Sequence, residues 1–170
     1  FIIHARKALL NGLNPKQNRT IPPIDYEKVY RLKDDFDNLR IIINGEISSI
    51  QQIEQHLLHL DGVMIGRKAY KDPLFLREIQ QHFFSTKAHS DRPLSQFHII
   101  KAMIDYTKNQ IGNGINLHLM TRHMAQLFRG LRGARKWRHL IGQNQHKANS
   151  AIAFLDELLS YVERYEESLC

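Results

Sequence analysis

Three short apolar runs in this sequence are each followed by polar or glycine residues of kinds that can hold an anion. His4 follows Phe1-Ile2-Ile3, Asn44-Gly45 follows Leu39 to Ile43, and Gly66-Arg67 follows Gly62 to Ile65. Glycine lets a backbone approach a phosphate closely, a helix beginning after the loop points amide N–H groups at it, and arginine adds a charge-assisted fork. Singly, each signal has an ordinary explanation: a turn glycine beside a solvated arginine, or a histidine satisfied by local hydrogen bonds. Their recurrence at all three run ends favours a ligand site with phosphate chemistry. No serine or cysteine stands beside His4 to suggest an activated nucleophile. His82, His89, His118, His123, His139 and His146 form no HxxxH or HExxH pattern, so no metal site is expected.

A second constellation is basic. The stretch LFRGLRGARKWRHL places Arg129, Arg132, Arg135 and Arg138 at three-residue intervals, with Gly130 and Gly133 breaking any single helix. The Arg135 to Arg138 step falls on one face of a new helix and suits a phosphate backbone, with Trp137 either stacking on a base or anchoring the helix in a core. A basic helix is ordinarily just a solvated face. Here no Asp or Glu occurs from Tyr106 to Phe154, whereas surfaces that serve solubility mix both signs.

The elements that must hold these residues follow from periodicity. The three apolar runs are continuous rather than alternating, as in buried parallel strands, and their starts are separated by about forty and then about twenty residues, enough for crossover helices. Asp25 can cap a helix carrying Tyr26, Val29, Tyr30 and Leu32. Ser48 can cap one carrying Ile50, Ile53, Leu57 and Leu60, and a third starts near Asp72-Pro73 and carries Leu74, Leu76 and Ile79. Three such βα units cannot close a barrel or cover both sheet edges, so they read as part of something larger.

Ser85 to Arg92 is polar and reads as a linker between residues 1–88 and 93–170. Beyond it the pattern is helical: a helix opened by Pro93 with Phe97, Ile100, Met103 and Ile104 on one face, ended at Gly112-Asn113-Gly114; a second over Ile115 to Phe128; a short third over Ala134 to Ile141; and a fourth introduced by Asn149-Ser150 with Ile152, Leu155, Leu158, Leu159 and Val162. The fold class is therefore α/β followed by a small all-α bundle.

Across 170 residues with 42% apolar content there is no long apolar run, so no membrane span and no targeting segment are expected. The single cysteine, Cys170, rules out a disulfide framework within these residues and fits a reducing compartment. A net charge of +7 and a pI near 9.6 bias the partners towards anions, nucleic acid above all.

Four segments, HARKALLNGLNPKQNRTIPPIDYEKVYRLK, IIINGEI, LDGVMIGRKAYKDP and LFRGLRGARKWRHL, together resemble the tRNA-dihydrouridine synthase A family, in order along the whole chain. That resemblance implies a (β/α)8 TIM barrel carrying FMN, followed by a helical domain that helps to hold tRNA. Phe1 to Ile3, Arg40 to Ile43 and Val63 to Ile65 resemble its sixth, seventh and eighth strands, so the chain would be the C-terminal part of the barrel plus the helical domain. The implied activity is reduction of the uracil C5–C6 double bond in the tRNA D-loop, with NADPH restoring the flavin, in a cytoplasmic, monomeric enzyme.

The resemblance assigns FMN contacts to His4, to the Asn44-Gly45-Glu46 turn and to Gly66-Arg67, and tRNA contacts to Lys16, Arg19, Arg135 and Arg138. The family usually reads Asn-Gly-Gly where this chain has Asn44-Gly45-Glu46. A glutamate there has less conformational freedom, and it either puts a negative charge near the phosphate or points to solvent. The family's active-site cysteine and its flavin-contacting lysine and glutamine lie in the front half of the barrel, so no catalytic residue is assigned within this chain and the chain alone is expected to be inactive. Two further readings stand beside the enzyme: a non-catalytic RNA-binding module, and the phosphate-binding part of another barrel enzyme whose helices serve an oligomer interface.

Overall fold

Isoleucine-rich segments and well-capped helices alternate through the first part of the chain. In the computed structural model, residues 1–84, 95–144 and 151–169 are described. They fall into two compact units, Phe1–Ala69 and Tyr70–Cys170. The expected linker, Pro93, His89, His146, Lys147, Asn149-Ser150 and Cys170 all lie outside the described residues.

The first unit holds β1 (Ile2–His4), α1 (Pro15–Asn18), α2 (Tyr26–Asp35), β2 (Ile42–Asn44), α3 (Ile50–Leu57) and β3 (Gly62–Met64). The strands form one parallel sheet in the order β1-β2-β3, with Ile3 opposite Ile43 and Ile43 opposite Val63. This register aligns His4, Asn44 and Met64 in one row at the strand ends. β2, flanked on both sides, buries Ile43, and Ile41 just before it is buried as well. The expectation of buried strands fails for the outer two: Phe1 is 72% exposed, Ile2 58% and Met64 42%. Each outer strand has a sheet neighbour on one side only among the described residues.

Capping sets the helix starts. Asp25 accepts from the Lys28 amide at the head of α2, as expected. At α3 the cap is Ser49 rather than Ser48: the Ser49 hydroxyl accepts from the Gln52 amide, while the Ser48 amide donates to the Gln52 side chain. Leu60 lies beyond the end of α3 yet is buried. Before β2, the Ile41 amide donates to the Asp61 carboxylate, and Lys33 meets the same carboxylate at 3.0 Å. Those hydrogen bonds, with that from Lys33, hold Asp61 below the usual carboxylate pKa.

α4 (Arg67–Lys71) runs across the boundary between the units. The second unit continues with α5 (Phe75–Phe84), α6 (Gln96–Gly112), α7 (Leu117–Thr121), α8 (Ala134–Asn144) and α9 (Ala151–Glu167). α5 buries Phe75 and leaves Leu76 half exposed, contrary to the expected face. α6 starts under Ser95, which accepts from the His98 amide, and buries Ile100 and Ile104 as expected. It runs antiparallel to α9: Lys101 pairs with Glu166 at 2.7 Å and Lys108 with Asp156 at 2.8 Å, so early residues of one helix meet late residues of the other. α9 buries Phe154, Leu155, Leu158 and Val162, while Ile152 is exposed.

The expected helix over Ile115 to Phe128 is cut to five residues. Beyond Thr121 the chain proceeds by tight turns, with Met124 N bonded to Thr121 O and Leu127 N to Met124 O. Met124, Leu127 and Phe128 all face inward along these turns. Phe128 stacks on Trp137 with ring centroids 5.2 Å apart, and the indole N–H donates to Met124 O at 2.9 Å. Trp137 is fully buried, so of its two expected roles the core one holds and base stacking is excluded. Among the described residues no helix is long and apolar enough to cross a membrane.

Truncating Trp137 removes the largest fully buried side chain of this core. Trp137→Ala is expected to lower unfolding stability by about 3–5 kcal/mol, measured by urea denaturation followed by circular dichroism. A loss below about 1 kcal/mol would show that the Phe128–Trp137 stack does not organise the unit.

Candidate functional site

The ends of the three strands converge on one carboxylate. Glu46 Oε1 lies 2.6 Å from Arg6 Nη2 and 3.3 Å from Arg67 Nη2. Arg6 stands two residues beyond β1, Glu46 two beyond β2, and Arg67 opens α4 after β3. α3 is capped by its own Ser49 and α4 has only five residues, and the cationic groups gathered at these strand ends are guanidiniums.

The backbone explains how Glu46 gets there. Ala5 N donates to Asn44 O at 2.8 Å and Asp25 N to Ala5 O at 2.9 Å, which clamps buried Ala5 between the ends of β1 and β2 and the head of α2. Tyr26 donates to Gly45 O at 2.7 Å from below. Gly45 has φ +146°, and a Cβ there would come within 3.1 Å of Ile24 Cδ1, so glycine is required. Glu46 then takes φ +54°, the left-handed region, which costs a residue with a Cβ roughly 1–2 kcal/mol. This is the position where the resembled family has its second glycine. The glutamate tolerates it because its side chain is held by two arginines; it is not free in solvent.

Arg6 carries more of the site than its place in the sequence suggested. Its side chain is only 5% exposed, its Nη1 donates to Pro22 O, and its buried Nε has no hydrogen-bond partner among the described residues. Sequence reasoning assigned it no role: it lies beyond the end of β1, after the bend at Ala5, where strand alternation no longer says which way a side chain faces. Arg67 is half exposed and also donates from Nη2 to Arg19 O. The loop bearing Lys16 and Arg19 is built by a capping box between Asn14 and Gln17. The Asn18 side chain, bonded to Leu9 N and O, secures it further. The structure thus brings His4, Arg19, the 44–46 turn and Arg67 together, with Gly66 beside them. Lys16 is exposed on α1, and Arg135 and Arg138 are exposed on α8 in the second unit.

Burial pushes the His4 imidazole below the ordinary histidine pKa, helped by Arg6, Arg67 and Arg19 and opposed by Glu46. His4 is therefore neutral near pH 7, able to donate and accept. At Gly66 neither a positive φ nor a neighbour within 4 Å demands glycine, which leaves open backbone beside Arg67. A cleft of about 870 Å³ runs along β1 and reaches His4 and Arg6. Among the described residues no group of three or more His, Cys, Asp or Glu is placed to hold a metal ion. The donor set, with an orphaned buried Arg6 N–H and two guanidiniums against one carboxylate, fits an anionic group of the phosphate type.

A family model described as dihydrouridine synthase (Dus) matches residues 1–163. The chain is 44% identical over 162 residues to a tRNA-dihydrouridine(20/20a) synthase of Salmonella typhimurium, covering 95% of this chain and 48% of the relative. For the like-named proteins of Vibrio vulnificus and Escherichia coli K12 the identities are 46% and 45%, again over 95% of this chain, with 49% and 46% of the relatives covered. The chain spans about half the length of the curated relatives it matches.

His4 is expected to titrate below about 6.5 in NMR spectra of its ring. Glu46→Gln should move it further down and Arg67→Ala should move it back up. Because the unfolded chain then binds more protons than the folded one, the His4 contribution to stability is complete above the unfolded value and is lost as pH falls through the lowered one. His56, lowered by burial and by His59, acts in the same direction. A His4 titration at or above the ordinary value would contradict the arrangement.

Proposed function

Since this chain belongs to the dihydrouridine synthase family, we propose that it supplies the flavin-phosphate end and the RNA-gripping helices of a tRNA-dihydrouridine synthase. The observation that carries this reading is the meeting of Arg6, Glu46 and Arg67 at three adjacent strand ends. In a barrel, that is where ligands bind. The three βα units, within residues 1–88, are read as the last three of a (β/α)8 TIM barrel, and residues 93–170 as the helical tRNA-binding domain.

In this reading the phosphate of FMN is held by Arg67 and by the main chain of Gly45, Glu46 and Gly66, and neutral His4 contacts the flavin. Bound FMN would supply the two-electron reduction of the uracil C5–C6 bond, with NADPH as the source of electrons. The uridines reduced are those at positions 20 and 20a, the positions in the relatives' names. This chain's own contribution is to hold the cofactor and to grip tRNA while a base is turned out of its stack. Lys16 and Arg19 serve that grip in the first unit, Arg135 and Arg138 in the second. The sole cysteine is Cys170 and no general acid is assigned here, so the polypeptide by itself is read as a binding module that does not reduce uridine.

Filter binding of unmodified tRNA against salt tests the RNA part. Arg135→Ala and Arg138→Ala are each expected to weaken binding and to reduce the salt slope by about 1. Unchanged affinity and slope in both variants would overturn it.

A further inference from the structure

We infer that Glu46 is a positioning residue for Arg67, and that through Arg67 it makes the site prefer a flavin with a phosphate over one without. The inference rests on the flavin reading above. Among the described residues, both hydrogen bonds made by Arg67 use Nη2, one to Glu46 Oε1 and one to Arg19 O. A guanidinium is a planar fork of five donors, so two acceptors on the two hydrogens of Nη2 restrict the tilt of that plane and leave Nη1 and Nε for a ligand. An arginine half exposed at a loop end would otherwise sample many rotamers, and the ligand would have to select one.

Charge supports the same assignment. A carboxylate beside a phosphate site would oppose binding if it stood alone. Here it faces two guanidiniums, and Arg19 acts on the neighbouring His4 as a third positive group, so the site keeps an excess of positive charge. The buried Arg6 makes the closer contact and anchors the carboxylate from beneath, which leaves the carboxylate fixed when it meets Arg67. The chain accepts a left-handed φ at Glu46, where glycine would be unstrained, and the side chain retained there makes contact with both arginines.

Titration of the chain with FMN and with riboflavin, followed by flavin fluorescence, tests this. Wild type is expected to bind FMN more tightly than riboflavin. Glu46→Gln should lower the FMN affinity about tenfold, the scale of one charge-assisted hydrogen bond, and leave riboflavin binding unchanged. Arg67→Ala should do the same, and the double variant should lose nothing further. If Glu46→Gln does not fold because Arg6 is left buried without its counter-charge, the Arg6→Met, Glu46→Gln pair removes both charges and carries the same expectation. An unchanged FMN-to-riboflavin ratio would overturn the inference, and so would a raised one, which would mean that the carboxylate competes with the phosphate. Wild type that binds neither flavin would overturn the cofactor reading itself.

Discussion

A guanidinium that is 5% exposed cannot remain in a protein without a counter-charge, and the first unit is arranged around supplying one to Arg6. The counter-charge comes from Glu46, which reaches Arg6 only if the chain after β2 turns through a left-handed residue. That turn is held on one side by Ala5 hydrogen-bonded to Asn44 and on the other by Tyr26 hydrogen-bonded to Gly45. Tyr26 in turn packs edge-on against buried His56, whose ring bonds the Tyr30 hydroxyl at 2.7 Å. The same carboxylate reaches the end of β3 through Arg67. One ion cluster therefore ties together three strand ends that are far apart in sequence, and the polar residues at those ends become a site as a result.

The second unit solves a different problem, how to keep a basic face while building a core. Its mostly aliphatic core includes Phe128 packed against Trp137, with Tyr161 and Tyr165 beside them. Acidic residues are concentrated in α9, where Glu166 and Asp156 pair with lysines of α6. Exposed ion pairs of that kind contribute little stability each, but here they set the antiparallel register of two helices and use up local negative charge. α8 contains no acidic residue; its exposed Arg135 and Arg138 flank buried Trp137, so the basic ridge and the core anchor are opposite faces of one helix.

Elements with a strong local signal were legible. Asp25 heads α2 because its side chain satisfies an amide three residues on, and Ile43 is central because only the middle strand is covered on both sides. Where two neighbours could serve equally, local reasoning chose wrongly: Ser48 and Ser49 are the same residue type, and Gln52 decides between them. Phe75 rather than Leu76 is buried on α5, and α7 ends after five residues where the chain passes into tight turns. α1, a single capped turn, carries no apolar periodicity and so left no pattern to find.

From sequence alone came the residue chemistry at the run ends, the acid-free basic window and the family, because motif spacing and charge are one-dimensional properties. Those observations also identified Asn44-Gly45-Glu46 as the place where this chain departs from its relatives' usual pattern, and left two fates open for the glutamate. Only the tertiary structure chose between them. The choice depends on Arg6 and Arg67, which lie 40 residues before and 21 residues after Glu46. No local rule couples residues at such separations; the parallel register of β1, β2 and β3 brings them within hydrogen-bond reach.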